Sequence, residues 1–139
     1  MNDARNSSKK DRKAKGELAI RTLAMPENTN PNGDIFGGWV VSTMDLAGLV
    51  LAKKITQHRI VTVAIDKMEF IAPVRVGDTV CCYGEIIHIG NTSFKVKLET
   101  WALGYADGTE QAHIVTEGIF TYVIIDENGR PTPRTIPPS

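Results

Sequence analysis

The strongest constraint in this chain is an apolar segment at residues 37–56. It carries Trp39, Val40, Val41, Met44, Leu46, Ala47, Leu49, Val50, Leu51 and Ala52 before the first cations, Lys53 and Lys54. At 3.6 residues per turn these positions cover nearly the whole circumference of a helix, and such a helix must be surrounded rather than laid on a surface. From residue 60 the pattern changes to period two, giving strands over 60–70, 79–89, 93–105 and 112–126, with an earlier strand over 17–23. Ala72-Pro73, Gly77-Asp78, Gly90-Asn91 and Asp107-Gly108 supply the turns between them. One buried helix and a run of antiparallel strands predict an α+β domain in which a sheet wraps the helix. A domain this small has no second sheet for the remaining helix face, so a partner subunit is expected there and the protein should be a homo-oligomer.

The 139 residues fit one domain that buries roughly two thirds of its unfolded surface without a metal or disulfide staple. The chain holds 16 basic and 16 acidic residues, but residues 1–16 contain six basic against two acidic, which leaves the remainder net acidic. Residues 1–16 read as a solvated, disordered basic tail, 17–126 as the folded domain and 127–139, rich in Pro and Arg, as an extended C-terminal segment. The folded part has no nucleic-acid footprint, and no apolar run has signal-peptide or membrane-span length, so a cytoplasmic protein is expected. Cys81 and Cys82 are adjacent and would point to opposite faces of a strand, as small buried hydrophobes. With His58, His88 and His113 isolated from one another, no metal site is expected.

The chemistry-bearing residues gather where the loop Asn30-Pro31-Asn32-Gly33-Asp34 enters the helix. On a helical wheel Gly38, Val41, Leu49 and Ala52 fall within about 40° of Asp45. An acid in such a stripe is desolvated and its pKa rises, which is how general bases are made. Gly37 and Gly38 offer unobstructed backbone amides at the positive end of the helix dipole, an oxyanion hole in outline. Asn30, Asn32 and Asp34 can each hydrogen-bond a carbonyl or a water, with Asn32 and Asp34 better suited to Asx-turn and N-cap roles. The pattern alone does not choose Asn30 over Asn32.

These residues resemble a known family. Thr22-Leu23-Ala24-Met25-Pro26, Asn30 through Trp39, Met44-Asp45, Val61-Thr62-Val63, Met68 through Asp78, Val80-Cys81-Cys82-Tyr83-Gly84 and Arg134-Thr135-Ile136-Pro137 are similar to motifs of the hotdog-fold acyl-CoA thioesterases of the bacterial YciA type. The resemblance implies a long central helix wrapped by a five- to six-stranded antiparallel sheet, and dimers whose sheets join edge to edge, commonly three to a hexamer. It implies hydrolysis of acyl-CoA to a free acid and coenzyme A, in fatty acid metabolism. Asn30 and Asp45 would belong to one site but come from opposite subunits, with Gly37 and Gly38 facing the thioester carbonyl. The turn Gly90-Asn91-Thr92-Ser93 would lie near the pantetheine and phosphates. Cations for the phosphates come from Arg59, Lys67, Arg75, Lys95, Lys97 and Arg134, of which Arg59 is placed with the substrate-binding residues. Thr43 stands where a larger amide is expected, with consequences for water beside Asp45, and the chain stops soon after Pro137, where relatives often continue.

No cofactor is expected beyond the coenzyme A of substrate and product. Two rival activities share the fold. Hydration or dehydration of an acyl thioester usually needs a His near the acid, and none lies within ten residues of Asp45. A non-catalytic acyl-CoA-binding protein would need no base.

Overall fold

In the computed structural model, which describes residues 12–134, the strands are β1 (Glu17–Leu23), β2 (Arg59–Phe70), β3 (Thr79–Ile89), β4 (Ser93–Ala106) and β5 (Thr109–Ile125). They form one antiparallel sheet in the order β1-β3-β4-β5-β2. A single α-helix, α1 (Gly37–Ala52), follows β1 and leads to β2. Since β1 and β2 are the two edges of the sheet, the segment containing α1 must cross from one edge to the other. The β4–β5 hairpin closes on Asp107 and Gly108, both at positive φ (52° and 76°), the conformation that the two-residue turn demands.

The core lies between α1 and one face of the sheet. Val40, Met44, Ala47 and Leu51 of α1 are buried with Val80, Cys82, Phe94, Val96, Leu98, Phe120 and Tyr122. Alternation along β4 puts Phe94, Val96 and Leu98 on this face and leaves Lys95 and Lys97 on the other. Close seating of the helix needs Gly84, where a Cβ would stand 2.4 Å from Leu51 Cδ1 and 2.8 Å from Leu98 Cδ2. Cys81 and Cys82 are both buried and free, with Cys82 Sγ 3.4 Å from Thr100 Oγ1. Burial pushes the Cys82 thiol up to about 11.

The helix departs from the sequence expectation at its end: its α-geometry stops at Ala52, although turn hydrogen bonds carry the chain on to Thr56. As expected, the sheet leaves one helix face bare: Gly38, Ser42, Leu46 and Val50, spaced four apart, form an exposed stripe. Edge strand β2 likewise turns Val61, Val63 and Ile65 outward, at 40%, 55% and 42% exposure. An apolar helix stripe beside an apolar unpaired edge is the surface that β-sheet proteins normally cover.

Both termini of the described chain are more engaged than the sequence suggested. The domain boundary at residue 17 is too late, because residues 12–16 already lie against the outer face of the sheet; residues 1–11 fall outside the described residues. Glu99 and Glu117 are cross-strand partners on β4 and β5, a like-charge pair that destabilises unless neutralised. Arg12 Nη2 meets both, at 2.9 Å from Glu99 Oε2 and 3.0 Å from Glu117 Oε1. Glu99, 1% exposed, also accepts from Trp101 Nε1 at 2.9 Å and from the Lys15 amide at 3.2 Å. At the other end, Asp126 Oδ1 accepts from the Asn128 and Arg130 amides. The chain then folds back, with Thr132 N donating to Ile124 O and Arg134 N to Asn91 O. The segment is thus a turn docked on the sheet as far as Arg134, and Thr135, Ile136 and Pro137 fall outside the described residues.

Replacing Arg12 by Ala removes the cation that bridges two facing carboxylates, one of them fully buried. Fully buried pairs lose ~3–5 kcal/mol when one partner is removed. Arg12 retains 22% exposure, so a loss of about 2–3 kcal/mol is expected in urea unfolding at pH 7. A midpoint equal to wild type would show that the arm contributes nothing to the fold.

Candidate active site

The loop ahead of α1 is organised by one side chain. Asn30 Oδ1 accepts from the amides of Asn32 at 2.9 Å and Asp34 at 3.2 Å, while the Asn30 amide donates to Asp34 O at 2.7 Å. The Asx-turn role expected of Asn32 or Asp34 therefore belongs to Asn30. Its Oδ1 is occupied, and its Nδ2 is the group left to act on a ligand. Nor does Asp34 cap the helix: the N-cap is Phe36, with no side-chain cap hydrogen bond.

That absence matters for the helix start. Phe36 O accepts from the Trp39 and Val40 amides. The amides of Gly37 and Gly38 precede Trp39, the first intrahelical donor, so the helix gives them no partner. Gly38 is exposed and a Cβ there would meet nothing within 4 Å, whereas one on Gly37 would approach Phe70 Cε1 to 3.3 Å. Beside them opens a cleft of about 320 Å³, lined among others by Gly37, Val40, Phe70, Pro73 and Thr116. Gly37, one of these two donors at the positive helix end, thus borders the cleft.

Asp45 lies half-buried on the flank of α1, and its surroundings differ from the apolar stripe drawn on the helical wheel. Oδ1 accepts from Thr62 Oγ1 at 2.7 Å and Tyr122 Oη at 3.2 Å. The sequence pattern missed both donors, because each comes from a strand distant in sequence. Thr62 and Tyr122 are direct cross-strand partners in the β2–β5 ladder, which is why they converge on one atom. The available signal was a pair of hydroxyls at core-facing positions of their strands, where a polar group needs a partner. Burial and the neighbouring Asp45 charge drive the Tyr122 hydroxyl well above its ordinary range, so it stays protonated as a donor. Oδ2 of Asp45 receives no hydrogen bond among the described residues, and it is the oxygen available to a ligand or a water.

Thr43, expected to influence water beside Asp45, is buried and turned onto its own helix, donating to Trp39 O at 2.9 Å. Gly38 and Asp45 are seven residues apart, or ~10 Å along the helix axis. The donors and the acid of one chain therefore do not meet at one reacting atom.

The turn Gly90-Asn91-Thr92-Ser93 joins β3 to β4. It is closed by Gly90 N to Ser93 O at 2.7 Å and tied to β5 by Ile124 N to Thr92 O at 2.8 Å. Arg59 donates to Asp126 O at 3.4 Å and pairs in register with Ile125, as Ser93 does with Val123. The turn, Arg59 and Arg134 thus share the end of the sheet next to Thr62, whereas Lys95 and Lys97 lie on the face turned away from α1. Among the described residues no group of three or more His, Cys, Asp or Glu is placed to hold a metal ion, and no helix is long and apolar enough to cross a membrane.

Comparison with known proteins agrees with this fold. Residues 32–106 match the family model of the thioesterase superfamily. An uncharacterised acyl-CoA thioester hydrolase of Haemophilus influenzae is 50% identical over 94% of this chain and 84% of its own length. The acyl-CoA thioester hydrolase YciA of Escherichia coli is 47% identical over 88% and 92%. The solved hexameric thioesterase of Yersinia pestis superposes with a TM-score of 0.83 at 47% identity, covering 88% of this chain and 99% of that one. A solved hexameric broad-specificity acyl-coenzyme A thioesterase gives 0.84 at 47% identity, over 91% and 86%. The sheet order, the single helix and these matches have one reading: the chain belongs to the hotdog-fold thioesterase superfamily, in its YciA-type branch.

Proposed function

We propose that the protein is a cytoplasmic acyl-CoA thioesterase, converting acyl-CoA and water to a free carboxylic acid and coenzyme A, with Asp45 as general base. The observation that carries the mechanism is the asymmetry of the Asp45 carboxylate. Two hydroxyls hold Oδ1 and nothing among the described residues holds Oδ2, so the carboxylate is fixed in orientation while one oxygen remains free to take a proton. In this reading Oδ2 accepts a proton from water as the water oxygen attacks the thioester carbon. The carbonyl oxygen, gaining negative charge, is received by the Gly38 amide, with Gly37 beside it. Collapse of the tetrahedral intermediate breaks the C–S bond, and the departing thiolate takes the proton back from Asp45. Asn30 Nδ2 orients the substrate or the water. The YciA-type relatives, described as acyl-CoA thioester hydrolases, support the substrate class.

The ~10 Å between Gly38 and Asp45 implies that one carbonyl is served by two chains. A two-fold axis passing near Ser42, midway between them on the exposed stripe, would set the helix start of one protomer beside the Asp45 of its partner. The same axis would cover Leu46 and Val50 and bring the exposed β2 edges together. The homodimer is then the minimal active unit, and three dimers would make the hexamer described for the relatives. The Gly90–Ser93 turn and Arg59 would receive the pantetheine arm and the phosphates.

Asp45→Asn is expected to lower thiol release from acyl-CoA by ~10²–10⁴-fold, the range of a lost general base; a loss below tenfold would remove Asp45 from that role. Asn30→Asp keeps the oxygen that holds the loop and exchanges the amide donor for a negatively charged oxygen. It should lower turnover at least about tenfold, with a wild-type unfolding midpoint. A single turnover in ¹⁸O-water should put label in the fatty acid alone, and label in the Asp45 carboxylate would indicate a nucleophile instead of a base. Leu46→Glu, which places charge on the exposed helix stripe, should sediment as a monomer and release thiol no faster than Asp45→Asn; a monomer with full activity would overturn the two-chain site.

A further inference from the structure

Tyr122 is fully buried in the core. Its ring is stacked with Phe94 and Phe120, centroids 5.3 and 6.4 Å away. An aromatic ring between two others needs no hydroxyl for its packing, so the oxygen calls for a separate account. The hydroxyl points at the middle of α1, where it lies 3.2 Å from both the backbone carbonyl and Oδ1 of Asp45. Its single proton is shared between two acceptors of one residue, the carbonyl that fixes the height of the helix and the carboxylate oxygen that fixes the side-chain torsion.

The helix is built to admit this contact. A Cβ on Gly48, one turn beyond Asp45 on the buried face, would stand 1.9 Å from Tyr122 Oη and 2.5 Å from its Cζ. Glycine in a helix interior is unfavourable relative to alanine, and here its absent side chain leaves the volume that the hydroxyl occupies. Gly48 and Tyr122 therefore form a matched pair, one vacating the space that the other fills with a donor.

We infer that Tyr122, admitted by Gly48, is a positioning residue for thioester hydrolysis, holding the Asp45 carboxylate from beneath the helix so that its free oxygen faces the water. This rests on the reading of Asp45 as the base. Thr62 constrains the same oxygen from the strand edge, at 2.7 Å, but it is half-buried. Tyr122 approaches from the dry side, where a hydrogen bond to a charged group is strongest because no water competes. Two donors from different directions fix the carboxylate about both its torsions, whereas one leaves it free to pivot.

The test uses the full-length oligomer, with kcat and KM measured separately for one acyl-CoA. Tyr122→Phe preserves the aromatic stack and removes one hydroxyl; it should lower kcat about 10- to 100-fold with KM within twofold and an unchanged oligomeric state. Gly48→Ala retains every polar group but displaces the hydroxyl, and should lower kcat in the same direction. Because Tyr122 acts through Asp45, adding Tyr122→Phe to Asp45→Asn should cost nothing further, whereas a purely structural role would lower the residual rate as well. Wild-type kcat in Tyr122→Phe, or in a folded Gly48→Ala, overturns the inference. If Asp45→Asn alone is inactive in that case, the assignment of the base survives. If Asp45→Asn is itself active, the base assignment fails along with the inference.

Discussion

The close seating of α1 on the sheet is the constraint on which the rest of this structure depends. Two glycines make it possible from opposite sides: Gly84 of β3 gives way to Leu51 of the helix, and Gly48 of the helix gives way to Tyr122 of β5. At either position a Cβ would overlap side-chain atoms, and the helix would have to lift. A lift of even 1 Å would stretch the 2.7 Å contact from Thr62 to Asp45 beyond hydrogen-bond range. The packing that buries the core is therefore also what orients the carboxylate.

The legible part of the fold was the part written in periodicity. The switch from a helical segment to period-two strands located every element within a few residues, and the turn residues located the hairpins. The packing of α1 was less legible, because an apolar circumference states only that all sides will be covered. It does not say which side meets the chain's own sheet and which is left for the partner subunit that the small size of the domain implies. In the protomer Met44 and Ala47 are fully buried against the sheet, while Leu46 and Val50 stay exposed. The arm was misread for a related reason. Its charge suggested solvation, but the partner that draws Arg12 onto the sheet is a carboxylate pair created by the β4–β5 register. No pattern local to the arm contains that register.

The site divides along the same line. Asp45, Gly37 and Gly38 stand within one helix, where spacing is a distance, so they were readable. Thr62 and Tyr122 are 17 and 77 residues from Asp45, and only the ladder between β2 and β5 makes them neighbours. Asn30 was readable as a residue but not as a role. A loop with three asparagines and aspartates offers the same local chemistry at each, and it is the backbone path that gives the turn-organising oxygen to Asn30. One side chain can then do both tasks, since an amide carries an acceptor for the loop and donors for a ligand.

In the proposed mechanism, a helix with its oxyanion donors at its start and its acid two turns later cannot bring both to a single carbonyl by bending. Seven residues at 1.5 Å each hold them ~10 Å apart, and a helix does not shorten. Two antiparallel copies solve this without new residues, because reversing the helix about its midpoint exchanges the two ends of the interval. The surface required for that exchange is the one left bare, the stripe from Gly38 to Val50 with the β2 edge beside it. In the proposed dimer, assembly and catalysis depend on the same apolar residues, and mutations on this stripe would alter the site without touching a single polar group in it.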